Sequence, residues 1–145
     1  MIPIDMRTRD FLPLLLAAFA LLPSCKKDKP EPIVDQPVEV GGTGGVYIAN
    51  EGNFLAGNAK VSYYNITSGS AVEDLYEPAN GVSLGDVCQS MHLFNGKGYV
   101  VVNNSGKVVV VDPSSFVASA TITGFNSPRY ILPVSNSKAY VTDLH

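Results

Sequence analysis

The chain has no tryptophan, two cysteines and two histidines in 145 residues, and only 16% of its side chains are charged. Two cysteines cannot build the multi-disulfide framework that stabilises small secreted domains. His92 and His145 fall in no Cys/His spacing that would hold zinc, so no metal is expected. Ten Lys and Arg against thirteen Asp and Glu leave a net charge of −3. Without a basic patch there is nothing to engage a phosphate backbone, and nucleic acid is not an expected partner. A G-x-S-x-G elbow and a Walker loop are also missing, and the glycine cluster Gly41 to Gly45 has no downstream helix to complete a phosphate site. Glu51 and Asp86 show no spacing that argues for an acid/base pair. The sequence therefore reads as a non-enzyme with no catalytic residue and no resident cofactor.

Long apolar runs are lacking as well. The longest, Phe11 to Leu22, has twelve residues. At about 1.5 Å per helical residue it falls short of a hydrocarbon core of about 30 Å. Arg7 and Arg9 precede it and Pro23-Ser24-Cys25 ends it, the arrangement of a secretory leader. Leu22-Pro23-Ser24-Cys25 resembles the lipobox of bacterial lipoproteins, with Pro23 a less usual middle residue. The resemblance implies cleavage before Cys25, lipidation of its thiol and attachment to the outer membrane. The acidic run that often follows the cysteine of surface-exposed lipoproteins is weak here, which leaves the cell surface and the periplasmic face both open. Lys26 to Gly45, with Pro30, Pro32 and Pro37 followed by glycines, reads as an extended, flexible tether. The expected organisation is thus a signal peptide over 1–24, a lipidated Cys25 and tether over 25–45, and a folded part over 46–145.

The folded part shows short β-rich runs between turn residues and no helical periodicity. Expected strands cover Val46–Asn50, Lys60–Asn65, Ala71–Tyr76, Gln89–Phe94, Lys97–Val102, Lys107–Val111 and Val117–Ile122. Asn95-Gly96 between two apolar runs signals a type I′ hairpin, whose central residues both need positive φ. These runs repeat. Tyr47, Tyr99 and Tyr140 each open a β-branched stretch, 52 and 41 residues apart, and Asn65 and Asp112 each end a strand, 47 apart. Periods of roughly 40–50 residues with about four short strands mark propeller blades. An ordinary β-sandwich with chance similarity is the competing reading. The fold class is all-β: a partial β-propeller of about two and a half four-stranded blades, with the first blade lacking its first strand and the third only opening. On this reading the chain is an N-terminal fragment of a longer ring, and a monomeric, sharply melting product would count against it.

The motifs carry a family resemblance. Strands ending in Y-V-x-N or Y-V-T-D are similar to the YVTN (YncE-like) seven-bladed propellers. Asn50-Glu51-Gly52, the stretch Asn80 to Met91, Ser127 to Ile131 and Ala139 to Leu144 resemble DUF5074, a family of Bacteroidetes cell-surface lipoproteins. That resemblance implies kinship with surface proteins that capture cobalamin for a TonB-dependent outer-membrane transporter. It would make the ligand a corrinoid and the transporter a partner.

In a propeller blade the loop before the innermost strand and the loop joining the second and third strands share one face. Gly85 to Ser90, Asn126 to Tyr130, Asn50 to Phe54 and Asn103 to Ser105 would then ring a common mouth. Candidate ligand-binding residues are Asn50, Glu51, Phe54, Gln89, Ser90, Arg129 and Tyr130. This mixture of amides, a carboxylate, a guanidinium and aromatic rings suits a polar, amide-rich ligand. A 41-residue offset aligns Gln89 with Tyr130 and Cys88 with Arg129. Each candidate has a plainer alternative: Arg129 pairs with a carboxylate of a neighbouring blade, Glu51-Gly52-Asn53 is only a turn, and the three tyrosines pack blade on blade. Cys88 reads as a small buried hydrophobe, and the sequon Asn65-Ile66-Thr67 as accidental. Three functions follow: capture of a ligand such as cobalamin for a transporter, a protein-interaction scaffold without small ligand, or a propeller lyase or hydrolase with its acid/base residues elsewhere.

Overall fold

The valine runs 100–102 and 108–111 are apolar at every position, with none of the in/out alternation of a half-buried strand. Such strands must be covered on both faces. A computed structural model, which describes residues 40–41 and 44–144, has that arrangement. The expected signal peptide, the lipidated Cys25 and the tether up to residue 39 lie outside the described residues, as does His145.

The elements are β1 (Gly45–Asn50), β2 (Lys60–Asn65), β3 (Ser70–Val72), α1 (Tyr76–Asn80), β4 (Cys88–Phe94), β5 (Lys97–Val102), β6 (Lys107–Val111), β7 (Ala118–Thr123), β8 (Pro128–Ser135) and β9 (Lys138–Asp143). They form three antiparallel sheets in chain order, β1-β2-β3, β4-β5-β6-β7 and β8-β9. The fold is all-β and propeller-like, with each sheet a blade or part of one, and no closed barrel forms. β1 and β8 both neighbour β4.

The middle blade separates two cores. Val100, Val102, Val109 and Val111 turn toward the first blade and join Val61, Tyr63, Leu84 and Phe116. Val101 and Val108 turn the other way, onto Ile131 with Tyr99, Phe125 and Val141. Period-two geometry sends successive valines to opposite cores, which is why the sequence is apolar at both parities.

The expected repeat is visible in detail. Asn65 Oδ1 accepts the N–H groups of Thr67 and Ser68 at 2.9 and 3.0 Å, and Asp112 Oδ1 accepts those of Ser114 and Ser115 at 3.0 and 2.8 Å. The two turns match residue for residue, down to a left-handed position at Gly69 (φ 68°) and Phe116 (φ 59°). Phe116 tolerates it because its ring is buried against Tyr47, centroids 6.0 Å apart. Asn95 and Gly96 have φ of 47° and 70°, as the hairpin reading requires.

Two expectations are corrected. The run Ala71–Tyr76 is not a strand throughout: β3 stops at Val72, and Tyr76 opens the five-residue α1. Asp74 Oδ1 accepts the N–H groups of Tyr76 and Glu77 at 3.0 and 3.2 Å, turning the chain so that the Tyr76 ring is buried. The 41-residue offset fails for first strands. Register equates Cys88 with Pro128, Gln89 with Arg129 and Ser90 with Tyr130, an offset of 40, while second strands keep 41. The extra residue is taken up by the irregularity between Pro133 and Ser135, where Val134 has no counterpart.

Candidate functional site

The loops expected to share a face do meet. Loop 51–58 of the first blade reaches the segment before β4, where Ala59 N–H donates to Gly85 O at 3.0 Å and Leu55 N–H to Asp86 Oδ2 at 2.9 Å. The β5–β6 turn joins the same node: Asn104 Nδ2 donates to Asp86 Oδ2 at 2.5 Å, and Asp86 N–H donates to Ser105 Oγ at 2.9 Å. Asn103, a buried residue, carries the connection to the third blade by donating from Nδ2 to Ser127 Oγ and Pro128 O, each at 2.9 Å. Asp86 is buried, and its Oδ1 has no hydrogen-bond partner.

At this end the first strands of successive blades present Gln89 and Arg129, each at the register irregularity that opens its strand. Arg129 Nη1 donates to Gln89 Oε1 at 2.8 Å, and Ser90 Oγ donates to Arg129 O at 2.7 Å. Arg129 Nε is buried with no acceptor. The plainer reading of Arg129, a pair with a neighbouring carboxylate, is therefore replaced by an amide partner. A bulge aims the side chain it carries away from the regular pleat, which is how two long polar residues from adjacent blades come together here.

The remaining candidates divide. Glu51 is exposed, and its charge acts on the Cys88 thiol at the start of β4. Burial, with that smaller contribution from Glu51, pushes the thiol up to about 12. Cys88 is accordingly a neutral core residue, as its plainer reading has it. Phe54 is 68% exposed and projects from loop 51–58. Asn50 is half-buried, and its Nδ2 donates to Ser62 Oγ at 2.8 Å and to Ile48 O at 3.2 Å. Tyr130 pairs with Thr142 in register and shares its face of the β8–β9 sheet with Leu132 and Tyr140, away from the middle blade.

Three features of the site had no signal in the sequence. Leu55 (φ 67°) and Val87 (φ 62°) are non-glycine residues in the left-handed region, and for β-branched Val87 this is a genuine outlier. Such conformations persist only where the surroundings over-determine them, and they concentrate at binding sites. Asp86 is the third: its role is to clamp two loops, with backbone and amide donors as its partners. Among the described residues no three His, Cys, Asp or Glu side chains converge as metal ligands, and no helix is long and apolar enough to cross a membrane.

The arrangement is that of a blade-repeat β-protein with a polar cluster bridging successive first strands at one end. The chain belongs to the family described as "Domain of unknown function (DUF5074)", whose profile matches residues 44–145. No curated protein matches the chain.

Proposed function

We propose that the chain is a ligand-binding propeller module of YVTN (YncE-like) kind, anchored by lipidated Cys25 at the outer membrane and exposed at the cell surface. Its ligand is a small amide-rich molecule of the corrinoid class, cobalamin above all, passed on to a TonB-dependent transporter. The observation that carries the reading is the Arg129–Gln89 pair, joining two blades at 2.8 Å, with the left-handed residue Val87 two positions before Gln89. An amide and a guanidinium offered together complement ligand amides and carbonyls, and the Asp86 clamp holds the neighbouring loop still so that little ordering is lost on binding. Asp86 Oδ2 takes the Leu55 N–H and Asn104 Nδ2, so on this reading that carboxylate oxygen serves as a clamp.

Isothermal titration of the chain with cobalamin and with cobinamide tests this, with dissociation constants in the micromolar range or tighter expected. Absence of heat with both, together with specific retention of a protein partner, favours the scaffold reading. One observation supports that second reading: Phe54 and Leu55, 68% and 76% exposed, are adjacent apolar side chains held out on a clamped loop. Such a projection suits a protein surface.

A further inference from the structure

We propose that Asn95 is a site of spontaneous modification, converting to aspartate and isoaspartate through attack by the Gly96 nitrogen, and that the fold withholds the same reaction from Asn80. The chain carries two Asn-Gly dipeptides, Asn80-Gly81 and Asn95-Gly96. A glycine in the following position has no Cβ to obstruct close approach of its nitrogen to the side-chain amide. The two dipeptides are therefore alike in intrinsic reactivity, and their surroundings separate them. The reaction consumes one water. The Gly96 nitrogen gives up its proton and attacks Asn95 Cγ, the Cγ–Nδ2 bond breaks, and Nδ2 leaves as ammonia with that proton. Water then opens the five-membered imide at either carbonyl. One opening gives aspartate, and the other gives isoaspartate, whose backbone runs through the former side-chain carbon.

Asn80 is held against this attack. Its Nδ2 donates to Tyr76 O at 2.8 Å and to Phe116 O at 3.0 Å, its Oδ1 accepts the Ala118 N–H at 2.8 Å, and the Gly81 N–H donates to Glu77 O at 2.8 Å. Electrophile and nucleophile are both engaged. Asn95 and Gly96 are exposed at the β4–β5 turn, and the Gly96 N–H makes no backbone hydrogen bond to a described residue. The Asn95 amide has one partner, Asn136 Oδ1 at 3.1 Å in the β8–β9 turn, and that contact is the restraint on the reaction. Asn95, Lys97, Tyr99 and Asn136 line one polar cavity of about 130 Å³. Conversion adds a carboxylate, ionised at neutral pH, to a cavity lined by a lysine. In the isoaspartate form the extra backbone carbon lengthens a turn whose register, Phe94 opposite Lys97, admits only two residues.

Peptide mapping by mass spectrometry of the full chain, incubated at mildly alkaline pH, tests this. Attack at Asn80 waits on an opening that breaks four hydrogen bonds. In the native protein Asn95 should therefore convert about tenfold or more faster than Asn80, which equals about 1.4 kcal/mol or more of local restraint. In urea the two should convert at similar rates. Asn136→Ala should speed conversion at Asn95 and leave Asn80 as it was. Equal native rates, or faster conversion at Asn80, overturn the proposal. So does a difference that persists in urea, which places the cause in the flanking sequence and not in the fold. An unchanged rate at Asn95 in Asn136→Ala overturns the restraint assigned to that contact. Circular dichroism melts check that the variant folds, with Asn136→Gly as a substitute where it does not.

Discussion

The N–H of Leu55 donates to Asp86 Oδ2 at 2.9 Å, tying a loop of the first blade to the strand entrance of the second. The same oxygen receives Asn104 Nδ2, so one carboxylate holds two loops from different blades. Asp86→Ala leaves both donors unpaired at a half-buried site, and a loss of roughly 1–3 kcal/mol in unfolding free energy is expected. Urea denaturation measures it. Hydrogen exchange should accelerate at Leu55 and Ala56 well before the core amides of β5, because the loop loses its tether while the valine core is untouched.

A second prediction concerns Gly45. It opens β1 beside the buried ring of Tyr63, whose hydroxyl donates to Gly41 O at 3.1 Å. A Cβ on Gly45 would overlap that hydroxyl and the ring carbon bearing it. Because Tyr63 cannot withdraw without leaving the core, Gly45→Ala should destabilise by about 1–3 kcal/mol or more. Gly44→Ala is the control: its Cβ meets only the Thr67 hydroxyl, at 3.2 Å. In thermal melts the first should fall by several degrees or more, at roughly 4–8 °C per kcal/mol for a fold of this size, and the second should barely move.

Gly45 also marks the limit of what the sequence discloses. In a cluster with Gly41, Gly42 and Gly44, it reads as the end of a tether, yet it is the first residue of β1, excluded from carrying a side chain by a tyrosine eighteen positions away. The strands with local signals were legible: Lys97–Val102 and Lys107–Val111 fall where the valine runs and the Asn-Gly turn put them, because their periodicity and turn chemistry are written in adjacent residues. α1 was not, since five residues hold no periodicity and the turn depends on Asp74. The candidate site was half legible. Loop placement follows from the repeat, which brings out Gln89 and Arg129. Their pairing does not follow from it, because the offset of 40 is set by Val134, an irregularity at the far end of β8. Nor does composition reveal that Asn50 is engaged by Ser62 across a strand pair.

The Arg129–Gln89 contact makes a third prediction through a double-mutant cycle. Arg129→Ala, Gln89→Ala and the double variant should give a coupling of about 1 kcal/mol in urea unfolding, the size of a half-buried hydrogen bond to a charged donor. Arg129→Lys should not restore it, because a flexible ammonium lacks the planar fork that meets the amide oxygen. If the cluster is where ligand binds, Arg129→Ala should also weaken corrinoid affinity by about tenfold, equal to 1.4 kcal/mol. Unchanged affinity in a folded variant would move the ligand away from this end of the blades.

The last prediction follows from the Cys88 thiol. Burial, aided by Glu51, raises it from its ordinary value of 9.0 to about 12. A group whose folded pKa lies above its unfolded value keeps more protons in the native state, so its contribution is complete below about pH 8.5 and is lost as pH rises toward 12. The slope approaches roughly 1.4 kcal/mol per pH unit only once the unfolded thiol has ionised, above about pH 9, so the effect between pH 8.5 and 10 is on the order of 1 kcal/mol. Buried tyrosines and Lys107 also shift at alkaline pH, so the measurement is the difference between the parent chain and Cys88→Ala, in which those groups cancel. Stability of the parent should fall relative to the variant across that window. Iodoacetamide labelling of a Cys25→Ser chain should be slow at pH 9 when native and fast once unfolded. Labelling as rapid as that of a free thiol in the native protein would show that the start of β4 opens to solvent, and the raised pKa would then have no basis.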